Sequence, residues 1–167
     1  LNKSLKVPIP NPAIVEIRKI YKQVSSLNQN DKLRRQSREF IDENNGGMSS
    51  VDRYIEIDGI CRLLVNSWGT GDFKATTENY YDLDGNLVFA YFLYKNSNGF
   101  DWRWRFYFDA PTGRLIWHKR SLTNPVNFDD PPKFEEIEYE GLDIGDQDFY
   151  PGGSGLRIDD IVEHTCK

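Results

Sequence analysis

Cysteine and histidine are scarce in this chain, two of each in 167 residues. Two thiols cannot furnish a four-cysteine zinc site, and Cys61 and Cys166 stand at no metal-binding spacing. Two imidazoles, His118 and His164, leave little choice of general base. No run of about eighteen apolar residues occurs, so no transmembrane helix is expected. No Lys/Arg block interrupts a chain of formal net charge −5, so a nucleic-acid backbone is not an expected partner. No cofactor is expected either. No signal peptide is visible. The opening "LNKSLKVPIPNP" reads as an exposed leader, left by a removed signal peptide or belonging to an ordinary cytosolic chain.

Aromatic residues are plentiful: four Trp, nine Tyr and ten Phe. Such side chains suit a β-rich core, because they pack well on pleated sheets. The length fits one domain over 1–167, able to bury about two thirds of the surface its unfolded form exposes. Charge is unevenly spread. Residues 1–122 hold 18 basic and 14 acidic side chains, whereas 123–167 hold 3 basic and 12 acidic. An acidic segment folded over a mildly basic body accounts for this, and so does an anionic-ligand site on the body.

The domain divides into a leader (1–11), a helix-plus-hairpin body (12–122) and an acidic surface-wrapping segment (123–167). Residues 12–27 read as a helix, with Asn11 as N-cap, Pro12 in the first turn, and Ile14, Ile17, Tyr21 and Val24 on one face. A polar helical or extended piece follows from Lys32 to Glu43, with Leu33, Phe40 and Ile41 facing inward. "ENNGGMSS" (43–50) is a turn. From Val51 the apolar period becomes two. Tyr54, Tyr81 and Phe108 recur at intervals of 27 residues, and Gly59, Gly85 and Gly113 mark the turns that follow. Three similar β-hairpins, about six antiparallel strands in a curved meander, explain the repetition. The helix is the natural cover for one face, giving an α+β fold. An edge strand is expected near Phe134–Tyr139. A last short element carries Leu156, Ile158, Ile161 and Val162.

The body resembles a broad group of uncharacterised exported bacterial proteins seen in Bacteroidetes and cyanobacteria. The matching stretches are "IVEIRKIYKQV", "NNGGMSS", "NYYDLDGNLVFAYF" and "RWRFYFDAPTGRLIWHKR", within roughly residues 14–120. The resemblance implies export, to the periplasm or cell exterior, and an α+β sheet protein. It implies no reaction.

Several chemistries can be weighed. Alternation groups Cys61 with Leu63 and Val65. Cys61 and Cys166 either remain free thiols or form a disulfide, which would close a loop of about a hundred residues worth about 4 kcal/mol in the loop-entropy account. Asp82 and Asp84 flank a hairpin turn, and Glu135, Glu136, Glu138 and Glu140 form an acidic run. Neither is the pair of unequal carboxyls, about 5 to 9 Å apart, that a glycosidase uses. Asp143, Asp146 and Asp148 offer oxygens of the kind calcium takes. The third hairpin is more informative. Trp102, Trp104, Phe106 and Phe108 alternate with Arg103, Arg105 and Tyr107. Grouped with His118 and Arg120 on the next strand, Arg103, Arg105 and Tyr107 would form an exposed basic and aromatic ladder. Such a ladder suits an anionic glycan, a peptide carboxylate or a partner protein. The leading expectation is therefore a non-catalytic exported bacterial binding or interaction module. The alternative is a small cell-envelope hydrolase acting on a glycan or peptide, with His118 and a nearby acid.

Overall fold

A computed structural model describes residues 11–44, 46–124, 133–140 and 166, with backbone alone for 120, 122–124 and 133–140. The leader, the Asp143/Asp146/Asp148 cluster, the element expected at 156–162 and His164 lie outside the described residues. The chain forms α1 (Pro12–Gln29), β1 (Arg34–Ile41), β2 (Met48–Ile55), β3 (Cys61–Gly69), β4 (Phe73–Tyr81), β5 (Leu87–Asn96), β6 (Asp101–Phe108), β7 (Leu115–Asn124) and β8 (Lys133–Glu140). The strands make one eight-stranded sheet in chain order. Every neighbouring pair is antiparallel.

Local chemistry sets the helix. The Asn11 side chain accepts from the Ala13 amide at 2.9 Å, satisfying one of the orphan donors of the first turn. Pro12 needs no partner there. Asp31 stops the helix in a left-handed conformation (φ 55°), and the Lys32 amide closes back on the Leu27 carbonyl at 2.9 Å. Ile14, Ile17 and Val24 are buried, each stabilising the fold by about 1.5–3 kcal/mol. They pack with Leu33, Leu63, Tyr80, Val88, Phe89 and Tyr107, so α1 covers one sheet face.

Strands β2–β7 are the three hairpins read from the sequence. The expected edge strand appears as β8. The extra strand is β1, where the polar stretch after the helix is extended. Leu33 is buried, but Phe40 and Ile41 are exposed, not inward-facing. They lie on a strand exposed at all eight positions.

The three hairpins repeat in geometry as well as wording. Gly59, Gly85 and Gly113 have φ of 90°, 83° and 71°, a region costly to residues with a Cβ. In each, the Gly amide returns to the carbonyl of Glu56, Asp82 or Asp109. Each hairpin also carries a one-residue irregularity just before its turn, at Tyr54/Ile55, Tyr80/Tyr81 and Tyr107/Phe108. A bulge shifts the alternation by one, which moves side chains to the other face. Cys61 accordingly packs with Leu64, Tyr81 and Cys166, and not beside Leu63 and Val65 in the helix-side core.

The face away from α1 is also buried. Phe92, Phe106, Ala75 and Ala90 have no accessible surface there, and Trp104 and Phe108 pack with them. Cys166 returns to the body and is bonded to Cys61, with Cα atoms 5.6 Å apart and 105 residues between them.

Candidate functional site

Along α1, Arg18, Tyr21 and Lys22 stand three and four residues apart and so share one side of the helix. Under them run two cross-strand rows. Tyr91 (β5), Arg105 (β6) and Lys119 (β7) are register partners, as are Phe89, Tyr107 and Trp117. Helix and sheet enclose a recess of about 330 Å³ lined by four cations and four aromatics: Arg18, Lys22, Arg105 and Lys119 with Tyr21, Phe89, Tyr91 and Tyr107. No carboxylate lines it among the described residues.

The aromatics hold one another. Tyr21 meets Phe89 edge-on at 5.1 Å, Phe89 meets Tyr107 at 5.0 Å, and Tyr107 lies 4.8 Å from Trp117. Ring edges against ring faces are the favourable arrangement. The arginines stack on this floor. Arg18 Cζ lies 5.6 Å from the Trp117 centroid and 6.0 Å from that of Tyr107, and Arg105 Cζ lies 5.4 Å from that of Tyr91. Among the described residues, no carboxylate pairs with Arg18, Lys22 or Arg105. On the β8 side, Glu138 stands opposite Lys119 in register and Glu140 opposite Trp117.

Beside the recess runs a partly buried polar layer. Tyr80 packs 4.9 Å from Tyr21 and donates its hydroxyl to Glu78 Oε2 at 2.9 Å. Burial holds the Glu78 carboxyl above the ordinary glutamate value, with the Tyr80 bond opposing. Burial, then the neighbouring Glu78, drives the Tyr80 phenol well up as well. At the other end of the layer Arg62 is 1 % exposed. It donates to the Tyr81 carbonyl (3.0 Å), Glu56 (2.8 Å) and Gln23 (3.4 Å), tying helix, sheet and turn together.

The five residues grouped as a ladder therefore do not form one. Arg105 and Tyr107 line the recess. Arg103 shares their face, but its guanidinium is clamped to both Asp101 oxygens (3.0 and 3.1 Å), which raises its pKa, and it lies outside the recess. His118 is opposite Phe106, on the other face, and Arg120 is opposite Trp104 in register. The His118 side chain is 2 % exposed and stacks on Trp104 at 5.5 Å. The bulge at Ile116 is the cause, because without it His118 would lie beside Arg105. Arg18 and Lys22 were not grouped with the ladder, although their spacing with Tyr21 was the available signal. Lys119 was missed for the same bulge.

His118, the base of the hydrolase alternative, lines neither this recess nor the second one. Asp82 serves its turn, accepting from the Asp84 and Asn86 amides at 3.0 and 2.8 Å. The second recess, about 550 Å³, lies at the β1–β4 end and mixes Arg35 and Lys74 with Glu39 and Asp52. There Arg35 bonds both oxygens of Asp52 at 3.1 Å. Among the described residues no helix is long and apolar enough to cross a membrane.

These features define an α+β protein in which one helix, laid on an eight-stranded antiparallel meander, closes a basic and aromatic recess. No protein-family model, curated protein or solved structure matches the chain.

Proposed function

We propose that this chain is a non-catalytic, exported binding module that takes an anionic glycan or peptide in the recess between α1 and strands β5–β7. One observation carries the reading: four cations converge on an aromatic floor with no lining carboxylate among the described residues. Like charges placed together raise the energy of the empty site, and an anion relieves that repulsion. The aromatic floor adds contact area and orients a ring or a planar group. Export is supported by the Cys61–Cys166 bond, since disulfides persist in oxidising compartments. The resemblance to exported bacterial proteins points the same way.

Two measurements test this. In titrations at constant ionic strength, acidic oligosaccharides or acidic peptides bind the wild-type protein, and Arg105→Ala weakens them about tenfold or more. Equal binding by both proteins would refute the assignment of the recess. Intact mass with and without reduction, on protein made by an oxidising route, tests the compartment. Two alkylatable thiols before reduction would remove the physical support for export.

A further inference from the structure

We infer that the recess recognises a tetrahedral oxyanion, a sulfate or phosphate ester carried on a ring, in preference to a carboxylate; this rests on the anion-binding reading above. The argument starts from how the two arginines are held. Arg18 lies over Trp117 and Tyr107, and Arg105 over Tyr91. A guanidinium that lies with its face on a ring keeps its edge, where the N–H donors lie, for oxygen acceptors. Both arginines line the same recess, and Lys22 adds an ammonium with three more donors.

A single carboxylate offers two oxygens and one charge, which one arginine fork satisfies. Arg18, Lys22 and Arg105 are three cations without a carboxylate partner among the described residues. An ester of sulfate or phosphate presents three terminal oxygens in different directions, so several donors can engage it together. A phosphate monoester also brings about −1.5 to −2 charges near neutrality. The volume sets the rest. At about 330 Å³ the recess is at the small end of ligand sites, which run from about 300 to 1,000 Å³. It accommodates one ring with its ester group, and the ring lies beside Tyr21 and Tyr91, the lining aromatics that are not buried.

The test is calorimetric titration of the full chain, disulfide intact, with glucose 6-sulfate, glucose 6-phosphate and glucuronate at pH 7.5 and fixed ionic strength. Both esters are expected to bind at least tenfold more tightly than glucuronate. The phosphate ester weakens as pH falls through about 6, where it loses its second charge, and the sulfate ester does not; that difference separates the two sources of the oxyanion. Arg105→Lys keeps the charge, loses the fork, and is expected to erase the preference, whereas Lys74→Ala, in the other recess, leaves it intact. Equal affinity for all three ligands would overturn the oxyanion preference and leave the anion site standing. A preference that survives Arg105→Lys would also overturn it. No binding of any of the three would remove both readings.

Discussion

Tyr107 and Trp117 face each other across the third hairpin at 4.8 Å, although the strands had paired Phe108 with Leu115 one step nearer the turn. The intervening Ile116 is left out of register. That single extra residue puts Trp117 under Arg18 and Lys119 beside Arg105 on the helix side. It also sends His118 to the buried opposite face. One bulge thus decides that Lys119 faces the recess and that His118 faces the core.

Loss of Arg62 should cost the fold stability. Replacing it with Ala leaves Glu56, the Tyr81 carbonyl and Gln23 without their shared donor. Breaking a buried pair by removing one member costs about 3–5 kcal/mol. Urea unfolding of Arg62→Ala should show a loss in that range, and Arg62→Met, which retains most of the volume, a smaller one. A midpoint unchanged in both would contradict the tie between helix and sheet.

Two nearby glycines should behave differently. A Cβ on Gly69 would run into the Phe73 carbonyl, whereas one on Gly71 would meet nothing within 4 Å. Gly69→Ala is expected to destabilise by about 1–3 kcal/mol, as overpacking against fixed atoms does. Gly71→Ala should stay within about 0.5 kcal/mol of wild type. Thermal melts of the two variants check the contrast.

Glu78 is expected to give the fold a pH dependence whose sign follows from its burial. Its carboxyl is held above the ordinary glutamate value by burial. The folded state therefore keeps a proton that the unfolded state has released. The stabilisation is fully present below the unfolded value and is lost as pH rises through the raised one. Melting temperature should fall across that window in the wild type and fall less in Glu78→Gln, which should be the more stable of the two at neutral pH. Parallel curves for the two proteins would contradict this.

The acidic strand β8 should compete with the ligand. Glu138 and Glu140 occupy register positions beside Lys119 and Trp117. Carboxylates at those register positions are opposite in charge to the cations that an anion needs. The double substitution Glu138→Gln, Glu140→Gln is expected to tighten anion binding several-fold and to steepen its salt dependence. Unchanged affinity would place the two carboxylates away from the recess.

Much of this architecture was legible beforehand for local reasons. Asn11, Pro12 and the Ile14–Ile17–Val24 spacing are enough to write α1, and three turn glycines mark the hairpins. The faces were not legible, because alternation has a period of two and each hairpin slips by one before its turn. Hence Cys61 was grouped with Leu63, and His118 and Arg120 with Arg105. Phe40 and Ile41 were read as inward although they end an exposed strand. The recess itself is a tertiary product. Arg18 and Lys22 lie about 80 to 100 residues from Arg105 and Lys119 in the chain, and no local pattern joins them. Arg62 shows the same limit, since nothing in "ICRLLV" marks its arginine as the most enclosed cation among the described residues.

The most direct test of the central claim is an amide-resolved NMR titration of the wild-type protein with an acidic saccharide. The account predicts that shifts concentrate at residues 18–22, 89–91, 105–107 and 117–119, and that Arg18→Ala abolishes them while leaving the melting temperature nearly unchanged. Shifts centred on the β1–β4 recess, or on the exposed strand β1, would contradict it.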